Sequence, residues 1–224
     1  MNNSPVYYDV IQKIENQIDA IWDIFDDIEE RHITIQLIPW IVENTISSLY
    51  HSLTQEDIYK KCKSDNSNNQ YIFLQKKSSG DIVFPSWSIE KYETYKGKPN
   101  PQGIILASLR EFKEEMHWLL SLDADNIIDV YPCIPFETQN NKKYIQFRLL
   151  AYIPDDYAFD IEQKFRNILP EVPNDQQEHS NCYVRSYLQV MDEIIKNNRK
   201  LKYSTHNSLE YHAICNRWGK YYKK

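Results

Sequence analysis

An α+β fold is predicted by the order of hydrophobic periods along the 224 residues. Apolar residues recur at three- and four-residue steps near both ends and once in the middle, as they do on helices. Two blocks rich in β-branched and aromatic residues flank that middle stretch and read as strands. The resulting order (helices, strands, helix, strands, helices) lacks the strict alternation of a doubly wound sheet. With 42% hydrophobic and 26% charged residues the composition is that of an ordinary globular protein and argues against wholesale disorder. The length suits one domain with elaborations or two small ones.

Taken in order, residues 5–30 form one apolar stripe, Val6, Val10, Ile14, Ile18, Ile21, Phe25 and Ile28, with most of the acids lying off it. His32 to Val42, HITIQLIPWIV, is rich in β-branched residues and reads as a strand. Residues 45–62 read as helix, and KSDNSNNQ as a loop. QYIFLQKK, SSGD and IVFPSW read as strand, turn and strand. The passage KYETYKGKPNPQG is turn-rich, and a helix is expected from about Gly103 to Leu122. NIIDVYPCIPFE and KKYIQFRLLAYIP are strand candidates joined by the polar turn TQNN. A short helix is expected over 157–169, a linker over PEVPNDQQEHSN, and helices over 181–198 and 206–218. The expected division is a helical region over 1–66 that includes the strand candidate near 32–42, a core over 67–170, and a basic helical region over 171–224.

Cys62, Cys133, Cys182 and Cys215 form no CxxC pair and no zinc spacing with the histidines, so reduced thiols in a cytosol-like compartment are expected. No apolar run approaches a membrane span, and the start MNNSPVYYDV lacks the shape of a signal peptide. A soluble cytoplasmic protein with no membrane partner is the expectation. The net charge of −6 hides an acidic stretch over residues 9–30 and a basic last thirty residues.

The middle helix holds the densest cluster of carboxylates. Within SLREFKEEMHW, Ile105, Leu109, Phe112, Met116 and Leu120 form a buried stripe, and Glu111, Glu114 and Glu115 are expected on the opposite side with Arg110 at i, i+4 from Glu114. Carboxylates so close repel one another. Either they stand in water as the polar face of an amphipathic helix, or a cation sits among them. A divalent ion such as Mg²⁺ prefers hard oxygen ligands and is often held by a few carboxylates plus substrate phosphates.

REFKEE, Arg110 to Glu115, resembles the core of the Nudix box, R-E-apolar-x-E-E-x-G, and Ala107 stands where that helix often carries a small residue. YKGKP, Tyr95 to Pro99, resembles the glycine-bearing loop before the helix, closest to the P-K-G-K form of messenger-RNA-decapping and diphosphoinositol-polyphosphate members. YIFLQKKSSGDIVFP and KKYIQFRLLAYIP are similar to the family's sheet strands. The added helices resemble those of the divergent decapping Nudix enzymes of large DNA viruses. The resemblance covers roughly residues 70–155. It implies an α/β/α sandwich core with added N-terminal and C-terminal helices. It implies a Nudix-type pyrophosphohydrolase with Mg²⁺ or Mn²⁺ held by Glu111, Glu114 and Glu115, Arg110 orienting one of them, and Lys96, Gly97 and Lys98 near the substrate phosphates. The substrate class implied is a nucleoside diphosphate-linked compound, a nucleotide or the cap of an RNA. The family's acidic residue at the helix start falls on Gln102, and its box glycine on His117, so the turn after the helix is expected to differ.

Lys196, Arg199, Lys200, Lys202, Arg217, Lys220, Lys223 and Lys224 face one acid, Glu210, in the last thirty residues, with Tyr203, Tyr211, Trp218, Tyr221 and Tyr222 interleaved. Cations neutralise phosphates and aromatic rings stack on bases, so this mixture suits single-stranded RNA, or a helix with its rings turned inward. Trp22, Trp40, Trp87 and Trp118 are read as core or half-buried residues. A second functional reading is a binding or adaptor protein whose core has lost its chemistry.

Overall fold

The computed structural model describes residues 5–22, 33–42, 70–89, 94–95, 98–137, 143–186, 189–190, 192 and 205. Helix α1 is Pro5–Trp22, followed by strands β1 (Ile33–Val42), β2 (Gln70–Lys76), β3 (Ile82–Val83), β4 (Ser86–Ser88), β5 (Thr94–Tyr95) and β6 (Lys98–Pro99). Helix α2 (Pro101–Glu115), strands β7 (Ile127–Glu137) and β8 (Lys143–Pro154), helices α3 (Asp155–Ala158) and α4 (Ile161–Ile168) and strand β9 (His179–Ser186) complete the described elements. The fold is α+β, as the order of periods predicts. No helix among the described residues is long and apolar enough to cross a membrane. The chain divides into two compact units, one of residues 1–38 and 85–151, the other of 39–84 and 152–224.

In the first unit, β1 lies next to β8, β8 pairs antiparallel with β7, and β4 pairs antiparallel with β1 through Thr34↔Ser88 to Gln36↔Ser86. Helix α1 packs on β7 and on α2. Its predicted stripe is the reason: Val6, Val10, Ile14 and Ile18 are all buried. Strand β7 carries an irregularity between Tyr131 and Ile134. A bulge leaves backbone groups without ladder partners, and buried ones must find others. Gln17 of α1 supplies two, accepting from the Cys133 amide at 3.0 Å and donating to the Tyr131 carbonyl at 3.2 Å. The buried Arg148 donates to the Pro132 carbonyl through Nε at 3.2 Å and Nη2 at 2.5 Å. One turn before Gln17, Lys13 Nζ meets Asp129 Oδ1 at 2.6 Å. Burial pushes the Asp129 carboxyl up, with Lys13 and the Val130 amide opposing.

In the second unit, β2 is the central strand. It pairs antiparallel with the end of β1 through Trp40↔Tyr71, with β3 through Leu74↔Val83, and along its length with β9 from Gln70↔Ser186 to Lys76↔His179. Phe73 and Phe84 stack with centroids 4.8 Å apart, and Tyr71 tilts against both. The hairpin from β2 to β3 turns at Gly80, φ 72°, where a side chain would be strained. Glu162 of α4 accepts from the Val184 amide at 2.8 Å and pairs with Arg185, tying α4 to β9.

Three expectations are corrected. IVFPSW is two strands, because the chain breaks its pairing at Phe84–Pro85, where Pro85 has no amide to give a ladder. The helix expected over 157–169 is two, α3 and α4, interrupted at Asp160 with φ 56°. The start of the helix expected over 181–198 is strand β9. HSNCYVRS carries Tyr and Val, and its pairing with β2 outweighs the helical spacing. The described residues after β9 include Gln189, Val190 and Asp192 in helical conformation. The helix expected over 45–62, the KSDNSNN part of the loop, the TQNN turn and most of the basic tail lie outside the described residues.

Candidate functional site

Helix α2 begins where its sequence says it should. Asn100 is the N-cap, its side chain accepting from the Gln102 amide at 2.9 Å, and Pro101 occupies the first helical position. The hairpin of β5 and β6, registered Tyr95↔Lys98, leads directly into this cap. Lys98 therefore lies in β6, whereas Lys96 and Gly97 are outside the described residues.

The predicted stripe of Ile105, Leu109, Phe112, Met116 and Leu120 is buried throughout. A second row is buried as well: Ile104, Ala107 and Ser108. Steps of three and four continue that row to Glu111 and Glu115. This corrects the expectation that all three glutamates face away from the core. Glu114 stands on the open side, its side chain 48% exposed, while that of Glu111 is only 20% exposed. Glu115 keeps one carboxylate oxygen, Oε2, out of contact with water. The residues that carry the site are therefore the polar end of a buried face. The row from Ile104 to Glu115 is the signal that shows this, because the apolar stripe is not the helix's only inward side.

Arg110 gathers the cluster. Its Nη1 lies 2.5 Å from Glu111 Oε1 and 3.7 Å from Glu114 Oε2. The charges still do not balance locally. Glu114 and Glu115 occupy the last turn of α2, where the unsatisfied carbonyls carry partial negative charge and a carboxylate is disfavoured by about 0.3–1 kcal/mol. Lys113 is the basic residue of that turn. Three hard oxygen donors within little more than one turn, at the negative end of a helix, form the donor set a divalent cation takes. A cation there relieves both the mutual repulsion and the clash with the dipole.

The helix ends at Glu115, seven residues before the expected end. His117 donates to the Glu114 carbonyl at 2.9 Å and Trp118 to the Lys113 carbonyl at 2.8 Å, the paired bonds of a Schellman closure. His117 has φ 49° and Trp118 φ 65°. The closure is of the kind a glycine usually makes, so the exit is an ordinary one reached at a cost. Each non-glycine residue in this region gives up about 1–2 kcal/mol. Burial also lowers the His117 pKa, favouring the neutral imidazole. Lys113 Nζ sits 4.3 Å from the centre of the Trp118 ring. Trp118 is not half-buried as expected but 67% exposed, whereas Trp40 is buried.

The structure is similar to several solved structures. One is a Nudix hydrolase from Alicyclobacillus acidocaldarius, at 9% identity and a TM-score of 0.49 over 84% of this chain and 94% of that one. Another is a Nudix hydrolase from Nitrosomonas europaea, at 14% identity and a TM-score of 0.45 over 81% and 88%. An Ap4A hydrolase from C. elegans is similar at 14% identity and a TM-score of 0.40 over 83% and 98%. No family model matches the sequence, and no curated protein sequence matches it.

Proposed function

We propose that the chain is a divergent Nudix-type hydrolase that cleaves a nucleoside diphosphate-linked substrate with the help of a divalent cation. The observation that carries this reading is the last turn and a half of α2, where REFKEE brings Arg110, Glu111 and Glu114 into contact and places Glu115 on the same partly buried row as Glu111. Glu111, Glu114 and Glu115 would hold Mg²⁺ or Mn²⁺. Such an ion, when bound, polarises the phosphorus and lowers the pKa of a water.

The chain's own residues have distinct tasks in this reading. Arg110 fixes Glu111 through a charge-assisted hydrogen bond and so holds one ligand in place. Glu115, with an oxygen kept from water, needs little reorganisation to serve as a donor. Glu114, open to solvent, is the donor on the substrate side. Lys96, Gly97 and Lys98 would meet the substrate phosphates. Within the substrate class, the cap of an RNA is the finer proposal. It rests on the likeness of YKGKP to decapping members and on the mixture of cations and rings after residue 196.

The test is hydrolysis with Mg²⁺ and with Mn²⁺ across capped RNA, dinucleoside polyphosphates, nucleotide sugars and diphosphoinositol polyphosphates. Turnover of one class, abolished in Glu114→Gln and Glu115→Gln, supports the reading and names the substrate. Folded wild-type protein that turns over none of them overturns it and leaves an adaptor.

A further inference from the structure

We propose that the cavity at the end of the β2–β9 ladder is a binding site for an oligophosphate, an anion with two or more phosphoryl groups. The site uses none of the α2 glutamates, so it stands or falls apart from the hydrolase reading.

The cavity has a volume of about 450 Å³, within the range of small-molecule sites, and is lined by Lys76, Lys77, Ser78, Gln177, Glu178 and His179. The ladder builds it. Strand β2 ends at Lys76, which faces His179 of β9 after a register shift at Gln75/Lys76. One residue on, the Lys77 amide donates to the Glu178 carbonyl at 2.9 Å. His179 is buried and Lys76 half-buried. Residues directly across an antiparallel ladder share a face, and successive residues point to opposite faces. Lys76 and Lys77 therefore leave the chain on opposite sides, yet both line the one cavity.

The cations of this cavity are not matched by negative charge. The Lys77 ammonium donates to Gln177 Oε1 at 3.1 Å and Asn174 Oδ1 at 3.4 Å, both oxygens of neutral amides. Gln177 is itself fixed, its side-chain nitrogen donating to the Leu169 and Val172 carbonyls at 2.9 and 2.6 Å. Neutral acceptors orient an ammonium without cancelling its charge. Among the described residues the Lys76 ammonium has no hydrogen bond or ion pair. Glu178 is the one acid in the lining, and it forms no ion pair with either lysine. Ser78 adds a hydroxyl. Each ammonium offers three donors and no acceptor, and lysine binds phosphate as a point charge. Two cations that reach one cavity from different sides suit several phosphoryl groups better than a single carboxylate or one phosphate. Lys77 is held on its splint before any ligand arrives, which lowers the ordering cost of binding.

The experiment is calorimetric binding of inorganic phosphate, inorganic tripolyphosphate, ADP and inositol hexakisphosphate without divalent ions. Wild type is compared with Lys76→Gln, Lys77→Gln and Glu178→Gln. Lys164→Gln, at an exposed lysine of α4, controls for net charge. The expected result is tripolyphosphate affinity about 10-fold weaker in each of Lys76→Gln and Lys77→Gln. It should be about 1.5- to 5-fold tighter in Glu178→Gln and unchanged in Lys164→Gln. Inorganic phosphate should bind more weakly than tripolyphosphate. The other two probes name the source. ADP bound more tightly than tripolyphosphate points to a nucleotide, and inositol hexakisphosphate bound more tightly points to an inositol phosphate; both uphold the site. Wild-type affinity in both lysine variants overturns the proposal, as does an equal loss in Lys164→Gln. Inorganic phosphate bound as tightly as tripolyphosphate, or no oligophosphate binding by wild type, overturns it too. The two readings fail separately. Binding that depends on Lys76 and Lys77, without turnover of any substrate, upholds this site and rejects the hydrolase. Turnover with oligophosphate affinity unchanged in both lysine variants does the reverse.

Discussion

Replacing Glu114 by Gln separates a metal site from a solvated helix face. Without metal the substitution should leave stability almost unchanged, because opposing terms cancel. It gives up the 3.7 Å contact with Arg110, an exposed i, i+4 pair contributing about 0.3–0.5 kcal/mol. It relieves the i, i+3 repulsion with Glu111, of about 0.2–0.5 kcal/mol, and the clash with the helix dipole, of about 0.3–1 kcal/mol. The balance is a change within about 0.5 kcal/mol, a melting shift of at most about 2 °C for a chain of this size. With metal the two proteins should part. An ion at ten times its Kd stabilises the folded state by about 1.4 kcal/mol and raises Tm by about 3–6 °C. Loss of one ligand of three that weakens binding tenfold leaves about 0.4 kcal/mol and a shift near 1 °C. Thermal melting with and without Mn²⁺ measures both. Equal Mn²⁺-induced shifts in wild type and Glu114→Gln would refute the assignment. So would a metal-free loss above about 2 kcal/mol, which would make Glu114 a structural residue.

Lys13→Met should destabilise by about 2–3 kcal/mol at pH 8, below the usual 3–5 for a broken buried pair because Lys13 is 40% exposed and the Val130 amide still serves Asp129. Burial already raises the Asp129 pKa in the fold, so its contribution to stability is present below the unfolded value of about 3.9 and is lost as pH rises through the folded value. Removing Lys13 raises that folded value further. The Tm difference from wild type should therefore shrink toward pH 4, and a pH-independent difference would contradict it. His117→Gly should raise Tm by about 2–4 °C by releasing roughly 1 kcal/mol of left-handed strain, and a fall would show that the imidazole makes contacts worth more than the strain. Gln177→Leu should cost about 2 kcal/mol in denaturant melts. Its amide donates to the Leu169 and Val172 carbonyls at 2.9 and 2.6 Å, and an unchanged midpoint would refute that role.

Helix α2, which carries the glutamate cluster, is the most legible part of the sequence. Asn100–Pro101 marks its start, and the stripe from Ile105 to Leu120 marks its main buried side. The depth of Glu111 and Glu115 was not legible from that stripe, because a helix packed on two sides buries a second row that carries charge at its end. The helix end was misplaced for a related reason. Periodicity continues through Met116 and Leu120, whereas the backbone turns at His117 and Trp118, neither of which is the glycine that usually marks a left-handed exit. Strand β9 is split in the sequence between the end of the expected linker and the start of the helix expected over 181–198, because HSNCYVRS has no clean alternation and only its partner β2 decides its state. The β7 bulge and its Gln17 splint join residues more than a hundred positions apart, which no local pattern encodes.

The central claim is that Glu111, Glu114 and Glu115 hold the divalent ion. Anomalous scattering from Mn²⁺ in crystals of the protein tests it directly. The account predicts an anomalous peak bonded to carboxylate oxygens of these three residues, at roughly the 2.0–2.6 Å spanned by oxygen–cation bonds in Mg²⁺ and Ca²⁺ sites. Mn²⁺ bound elsewhere, with the three glutamates contacting only water and Arg110, would contradict it.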